Sequence, residues 1–261
     1  LTFKGGGDAA AAARSVLETG EFDYAWNLQI DPTILRKMET VGKGKVVSAF
    51  GSGLEFLMVN LTNPAPYLGD KRSTLEGGSH PFLSDAAVVQ ALSLAIDRDL
   101  LSEIGYGPAG KAASNVIPAP ALYASTANDA YLVQDIPRAN AILDSAGWSR
   151  ATDGIRAKEG VRLSILYQTS TNPVRQDTQA LIKQWWAQLG VETELKNIDA
   201  AVFFGGDQSS PDTIQKFYAD IQMATNLGGT DVETRLRALE CSRIPRPQNN
   251  WLGSNFSRYC N

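Results

Sequence analysis

The chain has 261 residues, 43% of them hydrophobic and 20% charged, with a net charge of -4. That length allows one large domain or two small ones with a sizeable core, and the composition excludes a disordered or collagen-like chain. The acidic balance gives no electrostatic reason for nucleic acid or an anionic membrane as partner, and no apolar run approaches the roughly 20 residues that span a bilayer.

The first element expected is a short helix, where Asp8 caps Ala9 to Glu18 and Gly20 suits the left-handed position past its end. Phe22 to Trp26 reads as a strand, and Asp31-Pro32 starts a second helix ending near Gly42. Lys45–Phe50 and Glu55–Leu61 read as neighbouring strands joined at Gly51-Ser52-Gly53. Thr62 to His80 is rich in Pro, Gly and charge and is expected to be an exposed loop.

Beyond it, Ser84 or Asp85 can cap a core helix over Ala86 to Leu101, with Val88, Ala91, Leu92, Ala95 and Ile96 on one face. Prolines 108, 118 and 120 make Gly105 to Asn128 a long surface connection. Asp135 to Ala146 is a helix closed by Gly147, and Trp148 to Gly160 an exposed hairpin. Val161–Tyr167, a helix from Asn172-Pro173 to Gly190, and Val191–Asn197 form a right-handed βαβ unit, which makes the domain α/β. Short helices over Asp199–Phe204 and Pro211–Tyr218 and a strand over Ala219–Ala224 complete the pattern.

The loop from Asn226 to Asp231 then follows a strand end, and ligands in open α/β sheets usually bind beyond the carboxyl ends of the strands. Cys241 and Cys260 flank a Pro-, Asn- and Gly-rich stretch, where closure of the loop by a disulfide contributes about 3 kcal/mol and implies an oxidising compartment. Two free thiols in a cytosolic protein are the alternative.

Catalytic chemistry finds no anchor in this chain. His80 is the only histidine and reads as a surface residue before a proline. Nucleophile elbows, zinc-protease motifs and phosphate loops are missing, Gly5-Gly6-Gly7 reads as a chain bend, and Asp153-Gly154 as a turn rather than a calcium loop. Asn60-Leu61-Thr62 matches a glycosylation acceptor but is given no weight. No catalytic residue, metal ligand or cofactor is assigned. What remains is a set of aromatic and amide side chains at strand ends: Tyr24, Trp26 and Asn27; Tyr167, Thr171 and Asn172; Asn226; Trp251 and Asn255. Aromatics stack and amides pair with peptide groups, which is the chemistry of a non-covalent pocket.

The wording of Pro81-Phe82-Leu83-Ser84-Asp85 through Ala95-Ile96-Asp97-Arg98 closely resembles a signature of the extracellular solute-binding proteins of family 5, the peptide- and nickel-binding receptors of ABC importers. Gly20 to Trp26, Phe56 to Asn60, Ala139 to Trp148 and Asn255 to Asn261 resemble further family segments in the right order.

The resemblance implies a mixed sheet with flanking helices, a lobe of the type II periplasmic binding protein kind. Residues 1–261 would then be one continuous lobe of a two-lobed receptor, with the partner lobe and a C-terminal part outside this sequence; both chain ends read as cuts. It implies no enzyme activity, capture of an oligopeptide or other small solute, delivery to an inner-membrane ABC permease, a monomer, and a periplasmic or extracellular location, free or lipid-anchored. A signalling or interaction module that keeps the fold without transport is the alternative.

In the family, the loop after the strand matched by Ala219–Ala224 often carries a Trp and an acidic residue that pairs with the ligand's amino terminus. Here those positions read Thr225, Asn226, Leu227, Gly228 and Gly229, with Asp231 the nearest carboxylate, and a second expected aromatic is replaced around Ala200-Ala201. The candidate ligand-binding residues are therefore Tyr24, Trp26, Asn27, Thr171, Asn172, Asn226, Gly228, Gly229 and Asp231.

Overall fold

Strand alternation sets the layers. In a computed structural model that describes every residue except 6, 7, 27, 49, 227–230 and 261, the strand Ser164–Ser170 turns Ile165 and Tyr167 to one face and Leu166 to the other, as successive strand residues must. The strands in chain order are β1 (Leu54–Val59), β2 (Ser149–Arg150), β3 (Arg156–Lys158), β4 (Val161–Arg162), β5 (Ser164–Ser170), β6 (Glu192–Ile198) and β7 (Ile221–Asn226). The helices are α1 (Ala9–Leu17), α2 (Pro32–Glu39), α3 (Ala86–Leu94), α4 (Arg98–Tyr106), α5 (Ile136–Ser145), α6 (Pro173–Gln188), α7 (Ala200–Phe203) and α8 (Val232–Arg237).

The main sheet runs β1-β7-β5-β6, with β5 parallel to both neighbours and β1 antiparallel to β7, so it is mixed. One face packs Leu57, Val59, Ile165, Tyr167, Ile221 and Met223 against α3, α5 and α6. The opposite face packs Met58, Ala224 and Ile198 against Phe203, Ile214, Phe217 and Phe256. A smaller core of Ala13, Leu17 and Met38 joins α1 to α2.

Local signals decide most helix starts. Asp8, Asp31, Asp85, Asp135, Asn172 and Asp199 each accept a backbone N–H from the first turn of the helix they precede, and α6 with its flanking parallel strands is the expected βαβ unit. The disulfide joins Cys241 to Cys260, with Cα atoms 5.1 Å apart.

Six expectations are corrected, the last of them His80. Phe22–Trp26 forms no strand, and neither do the described residues of Lys45–Phe50: β1 takes its only partner, β7, from far along the chain, and neither segment pairs with its open side. Tyr24, Trp26, Val47 and Phe50 are consequently exposed. The helix expected over Ala86–Leu101 is two helices, since Asp97 caps a new one by accepting from Leu100 N at 2.9 Å. Pro211–Tyr218 is not a helix: the carbonyls of Gln215, Lys216 and Phe217 accept from the side chains of Arg258 and Asn60. Trp148–Gly160 does fold as a hairpin, but Trp148 and Arg156 within it are buried.

His80 departs furthest from its expected surface position, being 2% exposed. Its Nδ1 accepts from Phe82 N at 3.2 Å and Leu83 N at 2.9 Å, which leaves the ring proton on Nε2 to donate to Asp220 Oδ1 at 2.8 Å. The ring therefore ties the loop before α3 to the start of β7. Asn60 is likewise fully buried, donating to Ser73 Oγ, Phe217 O and Ala219 O.

Candidate ligand-binding edge

Because β5, β6 and β7 are parallel, their carboxyl ends share one edge of the sheet, and antiparallel β1 brings its start there, with Leu54 opposite Asn226. Ser52–Glu55, Ser170–Asn172, Ile198–Phe204 and Thr225–Asn226 thus lie along one line. This is the edge where open α/β sheets bind ligands.

A buried cation organises it. Arg175 is the third residue of α6, 5% exposed, although the positive end of the helix dipole opposes a cation there. Glu55 compensates: Arg175 Nε donates to Oε1 at 2.7 Å and Nη2 to Oε2 at 3.3 Å. Nη1 donates to Ser170 Oγ at 2.8 Å, Nη2 also to Thr225 Oγ1 at 2.9 Å, and the Thr225 hydroxyl donates to Glu55. The guanidinium lies 5.5 Å from the Phe204 ring centroid, and Tyr106 OH reaches Glu55 Oε2 at 3.4 Å. Burial, reinforced by the Glu55 charge, pushes the Tyr106 phenol well above its usual range, so it stays a neutral donor. The ends of β1, β5 and β7, with α4 and α6, are therefore locked by one ion pair.

Sequence reading missed this cluster, yet a signal was present. Arg175 falls on the spiral of Thr178, Gln179, Ile182 and Trp186, all buried, and a charge on a buried helix face requires a partner. Phe204 was also missed; 46% exposed and three residues past Ala201, it supplies an aromatic ring where one was expected to be replaced.

Of the candidate residues, Thr171, Asn172 and Asn226 come together on this edge. Thr171 is exposed and fixed by its N–H to Ile198 O at 2.8 Å. Asn172 caps α6 through Oδ1 and donates from Nδ2 to Gln29 Oε1 at 2.6 Å, which docks the N-terminal segment here. Trp26, 61% exposed, is three residues from Gln29, at most about 11 Å of chain; Tyr24 is exposed on the same segment. Asn226 ends β7 and is exposed.

Asp231 caps α8, accepting from Glu233 N at 3.1 Å and Thr234 N at 3.3 Å, and the Thr234 hydroxyl, foremost among these donors, holds its carboxyl below the usual range. Asn27, Gly228 and Gly229 lie outside the described residues. Tyr167, Trp251 and Asn255 do not belong to this edge as contact surfaces: all three are buried, Tyr167 against Trp186 and Asn255 donating to Leu239 O and Tyr259 O.

The family described as bacterial extracellular solute-binding proteins, family 5 middle region, matches residues 1–235. The chain belongs to this family. It is 30% identical over 119 residues to the oligopeptide-binding protein OppA of Lactococcus lactis, covering 44% of this chain and 20% of that protein. Among solved structures, it is similar to NikZ of Campylobacter jejuni in complex with Ni(L-His), with a TM-score of 0.70 and 20% identity, over 97% of this chain and 45% of that one. It is also similar to the oligopeptide-binding protein AppA of Bacillus subtilis in complex with a nonapeptide, with a TM-score of 0.65 and 19% identity, over 97% and 44%. The chain thus spans less than half the length of these relatives. Its fold, a mixed sheet with flanking helices, is that of the type II periplasmic binding proteins.

In this member of the family, the segments that carry the family wording bond to one another. Asp85 accepts from Ala87 N at 2.9 Å, which caps α3, and from Trp148 Nε1 at 3.0 Å, which joins the end of α5 to it. Arg98 donates to Ser93 O at 3.0 Å and to Tyr131 O at 2.5 Å, closing the break between α3 and α4.

Proposed function

We propose that this protein is part of the solute-binding component of an ABC importer, and that it captures a peptide-like solute at the carboxyl edge of its sheet without chemical conversion. The observation that carries the reading is the composition of that edge in a family 5 member. Thr171, Asn226 and Phe204 are exposed around a locked ion-pair cluster, and Trp26 is exposed on the segment that Gln29 docks there. Exposed amides and hydroxyls satisfy peptide groups, and exposed rings supply stacking area.

An open edge covers one side of a ligand, whereas binding sites enclose most of a small ligand's surface. Residues 1–261 accordingly act as one lobe, and a second lobe of the same protein closes over the solute by a hinge motion. The protein works outside the cytoplasmic membrane, in keeping with its family and the Cys241–Cys260 bridge, and hands the solute to a permease.

Mass spectrometry of the full-length protein purified under native conditions tests this reading. A co-purifying peptide or peptide-like solute is expected, and the 261-residue chain alone should bind the same solute far more weakly. Micromolar binding by this chain alone would refute the two-lobed reading, and a full-length protein that binds no peptide-like solute would refute the function.

A further inference from the structure

Four buried arginines stand out in this chain, and three are saturated. Arg156 donates from all three nitrogens, to Leu189 O, Trp148 O, Asp144 and Asn140. Arg175 does so to Glu55, Ser170 and Thr225, and Arg258 to the carbonyls of Ser73, Phe256, Gln215 and Lys216. Arg235 is different. It is 6% exposed, Nη1 donates to Ser52 O at 2.7 Å, and Nε and Nη2 are buried with no partner.

No carboxylate neutralises it among the described residues. Asp231 is engaged as the α8 cap, and Glu233 pairs with Arg237 at 3.1 Å. The two idle donors are adjacent: Nε–H and Nη2–H form the side-on fork of a guanidinium, which matches the two oxygens of a carboxylate. Burying a cation with open donors is costly, so an arriving anion gains by satisfying both.

The place of this fork is set by the sheet. Ser52 lies two residues before Leu54, whose partner in register is Asn226, so Arg235 is held beside the carboxyl edge at the β1–β7 end. Phe50, two residues further back, is 65% exposed. Thr225 to Gly229 offer no acidic side chain to a ligand's amine, whereas nine residues past Asn226 the chain supplies a cation. We propose that Arg235 recognises a carboxylate of the bound solute through Nε and Nη2 and selects solutes by that anionic end. This rests on the reading of the edge as a solute-binding surface and names the chemistry of one end of the solute.

The test uses the full-length protein and its Arg235→Gln variant, in which the glutamine amide can still donate to Ser52 O. Three probes are titrated by calorimetry: tri-alanine, N-acetyl-tri-alanine, which keeps the carboxylate and lacks the amine, and tri-alanine amide, which keeps the amine and lacks the carboxylate. The parent protein is expected to bind the amide at least about tenfold more weakly than the N-acetyl acid, the loss of one charge-assisted pair. Arg235→Gln should bind the two equally. An amide that binds the parent as tightly as the acid, or a preference that survives in Arg235→Gln, overturns the proposal.

A second arm needs no peptide. Sodium acetate, compared with sodium chloride at equal ionic strength and neutral pH, should raise the unfolding midpoint of the parent and leave that of Arg235→Gln unmoved. If no tri-alanine probe binds, the peptide-like reading of the function fails, while the acetate shift still decides Arg235: its presence in the parent alone supports the proposal, and its absence overturns it.

Discussion

Removal of Glu55 tests whether the Arg175 cluster locks the carboxyl edge. In Glu55→Ala the guanidinium loses two charge-assisted bonds, at 2.7 and 3.3 Å, and keeps Ser170 Oγ and Thr225 Oγ1. With its side chain 6% exposed, Arg175 cannot recover the loss from water, and breaking a buried pair from one side costs about 3–5 kcal/mol. Glu55 keeps 12% exposure, which admits some water and places the expectation near 3 kcal/mol, at the lower end.

For a chain of this size that lowers the unfolding midpoint by about 6–12 °C. Urea unfolding followed by circular dichroism, with an unchanged slope, is the assay. Replacing both partners, Glu55→Leu with Arg175→Met, removes the unpaired charge and should return stability to within about 1 kcal/mol of the parent. Solute affinity in that double variant should still fall, because nothing then ties Thr225 and Ser170 to α6. A single variant that loses less than about 1 kcal/mol, or a double variant as unstable as the single, would refute the reasoning.

Asp85→Ala should cost about 2–4 kcal/mol in the same unfolding assay, about 1 for the α3 cap and 1–3 for the buried Trp148 N–H left unpaired. The same carboxyl predicts a pH dependence. Burial pushes it up, but the Trp148 indole N–H, the Ala87 amide and Lys158 together outweigh burial and hold it below its ordinary 3.8. Its stabilisation is therefore complete above the ordinary carboxylate range and fades as pH falls below about 4, a component that Asp85→Asn should lack in acid titration of stability. Opening the Cys241–Cys260 bridge by Cys→Ser exchange at both positions should cost about 3 kcal/mol, with amide exchange rising first around Asn255 and Arg258. His80→Ala leaves two backbone N–H groups and Asp220 without their partner and should cost about 2–4 kcal/mol in thermal unfolding.

What was legible in the sequence was local. A capping Asp or Asn accepts from an amide two or three positions ahead, so six helix starts could be read from adjacent residues, as could the βαβ unit from the change of period between strand and helix. Failures came where distant residues decide. Pro211–Tyr218 has the composition of a helix, but Asn60 and Arg258 claim its carbonyls from far away in the chain, and Arg72 claims Tyr218 O at 2.9 Å. Phe22–Trp26 and the described residues of Lys45–Phe50 have strand-forming residues, yet the sheet stops at β1, whose partner is the distant β7. Asp97 gave the same cap signal as Asp85, and the apolar residues around it concealed the break.

The candidate site divides along the same line. Thr171, Asn172 and Asn226 were legible because strand ends can be placed from periodicity, whereas the unpaired fork of Arg235 exists only where α8 meets the turn before β1. The family wording records the first kind of information. Asp85, Trp148, Arg98 and Asn60 all spend their polar groups inside the fold, on caps, carbonyls and one another. Such residues fix the scaffold, so their presence identifies the family and is silent about any ligand. On the proposed reading of the carboxyl edge, the choice of solute rests on groups such as Arg235, which is buried beside that edge with two donors to spare.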